Sequence, residues 1–179
     1  MKKLFILLMA LVLYGCAANH QVIREDTPGD KVALNPQDDI GVMLARDGEG
    51  SVVGGEKKSY LGSGLILSTR TISALMSKFE SVSLVETIDF NRAIQISRDR
   101  NIEYLVIPLI EQWVDENNPW TLAPDRLALT VSVIKVTDMT KIRAFSYRAE
   151  DHSGDWTDYP VERMLGSEFQ ASLLQELAR

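Results

Sequence analysis

Apolar and polar residues follow two periods along this chain, and the changes from one to the other mark its elements. From Asp39 the pattern is that of a mostly buried strand, with Ile40, Val42 and Leu44 alternating with Gly41, Met43 and Ala45. The glycine-rich stretch "RDGEGSVVGGEKKSYLGSG" follows and predicts a mobile surface loop. Beyond it, Leu65, Thr69, Ile72, Leu75, Met76 and Phe79 recur at helical spacing. They predict a helix with that stripe turned to the core and Ser63 as its N-cap. "SVSLVET" reads as a short strand. Asp89 then caps a second helix through Phe90, Ala93, Ile94 and Ile96. Arg98 and Arg100 suit the carbonyl end of that helix, and Asn101 suits a left-handed stop.

The run "EYLVIPLIEQWV" is apolar on both faces from Tyr104 to Ile110, which places it centrally in a sheet. Pro108 cannot donate to a ladder, so a bulge or an unpaired edge is expected there. "RLALTVSVIKV" alternates through Leu127, Leu129, Val131 and Val133. "DMTK" is a turn, and "KIRAFSYRAE" returns as the second arm of a hairpin. Ser167 and Gln170 have capping-box spacing, with Leu165, Phe169, Leu173, Leu174 and Leu177 as the apolar side of a last helix. The order β-α-β-α-β-β-β-α predicts an α/β (α+β) fold: a mixed sheet of about five strands with three helices packed on it.

The amino-terminal segment has a different pattern. Lys2 and Lys3 precede an apolar run from Leu4 to Leu13, about half the length a membrane-spanning helix needs. A charged start, a short apolar region and small residues after it describe an export signal. Leu13-Tyr14-Gly15-Cys16 resembles the lipobox of bacterial lipoproteins, with Leu13, Gly15 and Cys16 fitting and Tyr14 departing from the usual small or aliphatic residue. The resemblance implies cleavage before Cys16 and a covalent diacylglycerol and N-acyl lipid on that residue, with no other cofactor. Ala17 and Ala18, in place of an acidic residue after the cysteine, resemble lipoproteins sent to the outer membrane rather than those kept at the inner membrane. The expected organisation is a signal peptide over 1–15, a lipidated cysteine and flexible tether over 16–37, and one periplasmic domain over 38–179.

Composition narrows this further. Cys16 is the only cysteine of 179 residues, so a lipidated chain holds no thiol for a disulfide or a metal. Loss of Lys2 and Lys3 with the signal moves the formal charge from −6 to −8. An acidic chain without a basic run is a poor partner for nucleic acid or for anionic lipid, so the membrane contact is expected through the lipid anchor. Its length suits a single domain.

Gly62-Ser63-Gly64, the strand Tyr104 to Pro108, Trp113 with Asp115 and Glu116 behind it, Trp120, and Pro124-Asp125-Arg126 together resemble a family of bacterial lipoproteins of unknown function. The likeness spans residues 40 to 177, and Asp138 to Lys141 departs from it by lacking the hairpin glycine. More loosely, the order of elements is similar to the curli-secretion lipoprotein and to the amino-terminal domain of TolB. Those are binding and assembly modules, and analogy of fold transfers no activity; the expectation is a domain that binds or scaffolds other cell-envelope components and is not an enzyme.

The residues themselves carry no catalytic signature. The glycines between 48 and 64 do not form a phosphate loop with Lys57, Lys58 and Ser59. His20 and His152 lie far apart. Asp115 and Glu116, with Asn117 and Asn118, lack calcium-loop spacing, so no metal site is expected. Gly62-Ser63-Gly64 is shorter than a nucleophile elbow and reads as a helix start. Trp120, Asp125 and Arg126 remain as the candidate partner surface, with Trp113 as its buried root, because Trp and Arg dominate binding hot spots. The alternative is a small-ligand-binding or hydrolytic domain, which a deep pocket of converging polar groups favours.

Overall fold

A computed structural model describes residues 19–24, 33–51, 55–115, 124–151 and 161–177. Its elements are β1 (Asn19–Arg24), β2 (Asp39–Met43), β3 (Gly48–Ser51), β4 (Lys57–Tyr60), α1 (Ser63–Leu75), β5 (Ser81–Val85), α2 (Phe90–Asp99), β6 (Tyr104–Val114), β7 (Asp125–Lys135), β8 (Thr140–Asp151), a 3-10 turn (Val161–Leu165) and α3 (Ser167–Leu177). The predicted α/β class and element order are present, with additions described below.

The main sheet has six strands in the order β1-β8-β7-β6-β2-β5. β5, β2 and β6 are parallel, and β6, β7, β8 and β1 are antiparallel. The chain moves outward from β2 to β5 through α1, then back across β2 to β6 through α2. Two right-handed crossovers running in opposite directions place their helices on opposite faces. α1, the 3-10 turn and α3 cover one face, where Leu67, Leu75, Leu165, Phe169 and Leu173 join Leu127, Leu129, Val131, Val133, Phe145 and Tyr147. α2 covers only part of the other, where Ala93 and Ile94 meet Leu105, Ile134 and Val136.

Several expectations are corrected. The stretch read as a mobile loop contains a second, two-stranded sheet, β3 with β4. The segment read as a tether contributes β1, which pairs with β8 through Asn19↔Glu150 to Arg24↔Phe145. The packed domain also begins before residue 38. Leu34 is buried in the main core, and Glu80 N–H donates to Pro36 O at 2.8 Å. Pro108 pairs with Val131, and the bulge lies further on, between Ile110 and Gln112. The β2 ladder ends at Val106, so the opposite edge of β6 has no β2 partner at Pro108.

The α1 stripe is misphased in the sequence reading. Leu65 and Met76 are 54% and 64% exposed, while Gly64, Leu67, Ser68, Thr71, Ala74 and Leu75 are buried. The N-cap is Gly62 in the left-handed region (φ 87°), with no side-chain cap from Ser63. At α3 the first intrahelical bond runs from Gln170 N–H to Gly166 O, which puts Ser167 inside the helix rather than at its cap. Asp89 caps α2 as predicted, its Oδ1 accepting from Arg92 N–H at 2.8 Å, and Asn101 stops that helix at φ 58°. In the β7–β8 turn Met139 takes φ 59°, the conformation the missing glycine usually supplies.

Candidate functional site

The Gly62-Ser63-Gly64 motif joins three pieces of chain. Ser63 Oγ accepts from Gly48 N–H at 2.8 Å, and Asp47 Oδ1 accepts from Gly64 N–H at 2.9 Å. One turn on, Ser68 Oγ accepts from Ala45 N–H and donates to Gly64 O, both at 2.9 Å. These bonds tie the segment leaving β2 to the start of α1 and so aim β3 along β6. Glycine spacing completes the docking. A Cβ on Gly48 would stand 2.8 Å from Trp113 Cβ, and one on Gly50 would stand 2.2 Å from Trp113 O. β3 therefore flanks the part of β6 that β2 does not reach. Tyr60 Oη, from β4, accepts from Asp115 N–H at 3.0 Å and fixes the end of β6.

The hairpin and the sheet border an open cavity of about 570 Å³ at this end of the molecule. Glu49, Ser51 and Lys57 line it from the hairpin, Glu111 and Gln112 from β6, Arg126 and Ala128 from β7, and Arg148 and Glu150 from β8. Register explains the assembly. Gln112, Ala128 and Arg148 lie in one row across β6, β7 and β8, and Arg126 stands opposite Glu150 in the next. Gly50 and Ala128 line the cavity between the charged side chains.

Arg126 is half-buried, and its Nε is buried without a hydrogen-bond partner. Among the described residues no hydrogen bond or ion pair of the Lys57 or Arg148 side chain is found either. The carboxylates there are differently placed: Glu111 Oε1 accepts from Thr130 Oγ1 at 2.5 Å, and Glu150 has an interaction of its own. Thr130 Oγ1 also lies 3.0 Å from Ser146 Oγ, so a polar chain crosses three strands beside the cavity.

Of Trp120, Asp125 and Arg126, expected to form a partner surface, only Asp125 and Arg126 are among the described residues. Arg126 lines the cavity, and Asp125, the first residue of β7, has a partner of its own. Trp113 is 3% exposed, in the core. Trp120, Asn117, Asn118, Glu116, His152 and Trp156 lie outside the described residues, as do Leu13, Gly15 and Cys16. His20 is in β1. No group of three or more His, Cys, Asp or Glu able to hold a metal occurs among the described residues. No helix among them is long and apolar enough to cross a membrane. Sequence reading missed Lys57, Glu111 and Arg148 as companions of Arg126. Only the hairpin register brings Arg148 near, and only the glycines at 48 and 50 bring Lys57.

No family model matches the sequence, and no match is found among curated proteins. Solved structures do match. The fold is similar to PelC from Paraburkholderia phytofirmans, solved as a dodecamer, at 14% identity and a TM-score of 0.65, covering 89% of this chain and 98% of that one. A point variant of the same dodecamer gives 13% identity and a TM-score of 0.63 over 91% and 100%. A Xanthomonas campestris protein of the DUF330 family gives 13% identity and a TM-score of 0.52 over 85% and 88%. Identities this low establish a shared fold; an activity does not follow from them.

Proposed function

We propose that this protein is a bacterial lipoprotein, held by acylated Cys16 on the periplasmic face of the outer membrane, whose domain binds or scaffolds other envelope components without catalysis. The observation that carries the reading is Leu13-Tyr14-Gly15-Cys16 after Lys2-Lys3 and a short apolar run. One acyl chain binds a bilayer only marginally, whereas two or more anchor stably at about 0.8 kcal/mol per buried methylene. The likeness in fold to a protein solved as a dodecamer supports an assembly role over a solitary enzyme. Mass spectrometry of the mature amino terminus tests the anchor: triacylated Cys16 in the native protein and an unprocessed, unlipidated Cys16→Ser chain are expected. An unmodified Cys16, or cleavage elsewhere, removes the reading. Fractionation of the two membranes tests the address, and cross-linking in cells tests the partner.

The cavity favours a second reading, a domain that also takes a small ligand. Its volume is that of a small-molecule site, and its polar groups converge from three strands and a hairpin wall.

A further inference from the structure

We infer that the cavity between the β3–β4 hairpin and the sheet is a binding site for a singly charged oxyanion, a carboxylate or a phosphate diester, with Arg126 as its principal contact. This deepens the small-ligand reading and does not depend on the lipid anchor.

Three cations reach one cavity from separate parts of the chain: Lys57 from β4, Arg126 from β7 and Arg148 from β8. A chain with a formal charge of −6 supplies many carboxylates that could neutralise them. Yet Arg126 keeps a buried Nε with no acceptor. Leaving a donor of a charged group unsatisfied in a partly desolvated place is costly, and a guanidinium is the side chain best shaped to accept an oxyanion in its fork. The neighbouring carboxylates do not supply that acceptor, since Glu111 holds Thr130 and Glu150 is engaged.

The same carboxylates set the charge of the ligand. Glu49, Glu111 and Glu150 balance the three cations in the lining, so a dianion or a polyanion meets repulsion that a monoanion does not. Gln112 and the carboxylates also offer acceptors to hydroxyl groups on the body of the ligand, which a cavity of about 570 Å³ leaves room for.

The test is calorimetric titration of the intact lipidated protein in non-ionic detergent with D-glucuronate, glycerophosphoglycerol (a singly charged phosphate diester) or inorganic diphosphate. Saturable binding of at least one of the first two, tighter than diphosphate, is expected. Arg126→Gln should weaken it about tenfold or more, since a charge-assisted bidentate contact is lost. Glu49→Gln should strengthen it, a change that a purely structural role of Arg126 would not produce. Arg148→Gln, at an exposed position, repeats the test should Arg126→Gln fail to fold. Glucuronate binding alone identifies a carboxylate ligand, and glycerophosphoglycerol binding alone a phosphate diester. No saturable binding of either, diphosphate bound most tightly, or affinities unmoved by Arg126→Gln and Arg148→Gln overturn the proposal.

Discussion

At Gly64 a single hydrogen atom in place of a methyl group decides whether two segments can meet. A Cβ there would lie 2.2 Å from the backbone oxygen of Ala45, a residue whose N–H is itself tied to α1 through Ser68 Oγ. Gly64→Ala must push the helix from the strand it rests on, at a cost of about 1–3 kcal/mol by the usual price of overpacking. Urea unfolding should show that loss, whereas Gly55→Ala, with no atom within 4 Å but φ +80°, should show only the smaller strain of a left-handed alanine. Tyr147 gives a second test at this scale. It is buried against Phe169, its ring edge-on with centroids 5.4 Å apart, and its hydroxyl donates to Met164 O at 3.1 Å. Burial, then the charge of Glu168, pushes its pKa up to about 12. The neutral phenol is therefore favoured by folding. Its contribution is complete below about pH 10, where the unfolded phenol titrates, and is lost as pH rises towards the folded value of about 12. The urea midpoint should fall across that window and fall less steeply in Tyr147→Phe. Tyr104, raised by burial first and by Asp38 second, has the same sign and stays in both proteins. At neutral pH the Phe variant should lose about 1–3 kcal/mol by leaving a buried carbonyl unpaired.

Elements were legible where hydropathy and packing agree. β7 shows it: Leu127, Leu129, Val131 and Val133 alternate in the sequence and are all buried. The period of α1 was legible too, but its phase was not. The buried side of α1 is made of Gly64, Ser68, Thr71 and Ala74 beside Leu67 and Leu75. Those small and hydroxyl residues allow close approach to β2 and satisfy their own polar groups, Thr71 Oγ1 donating to Leu67 O at 2.9 Å. Hydropathy alone prefers the side with Leu65 and Met76. The β3–β4 hairpin was illegible because Gly48, Gly50, Lys57 and Lys58 carry no strand propensity, and their pairing is held by contact with β6 instead. β1 was missed for a similar reason: "NHQVIR" has few apolar residues, and an edge strand needs only one neighbour. Both omissions bear on where the domain begins. A chain lacking residues 1–37 loses Leu34 and the Pro36 carbonyl that caps Glu80, whereas one lacking residues 1–32 keeps them. The second should be more stable by about 2–5 kcal/mol, the cost of deleting a buried Leu. Both expose the β8 edge that β1 covers, so both should self-associate more readily than a chain beginning at Asn19. Equal thermal unfolding of the two shorter chains would place Leu34 outside the cooperative core.

For the molecule as a whole, the class was legible because crossover helices and hairpins leave different spacings between strands. The cavity was not, because it is made by register and by a hairpin the sequence hides. Register also changes the picture of the anchor. If Cys16 carries lipid, only the backbone from Cys16 to Asn19 separates it from β1. Three residues span at most about 10 Å even when fully extended. Asn19 pairs with Glu150, Glu150 with Arg126, and Arg126 with Val114, so the cavity end of the sheet would then be the end nearest the anchor. The β7–β8 turn lies at the opposite end, roughly 35 Å away at the rise of an eleven-residue strand. A tether that holds the domain away from the membrane would leave the two ends equally distant on average; a paired β1 does not. Acylation consumes the native thiol, so a single cysteine can be introduced and labelled. In vesicles of phosphatidylethanolamine with a lipid-borne quencher, a fluorophore on Lys57→Cys should be quenched strongly and one on Met139→Cys hardly at all. Ten Gly-Ser residues inserted between Ala18 and Asn19 should reduce the difference, since a coil of that length reaches about 16–19 Å on average. Equal quenching at the two sites in the uninserted protein would show that β1 does not hold the sheet to the anchor, and the cavity would then face the periplasm freely.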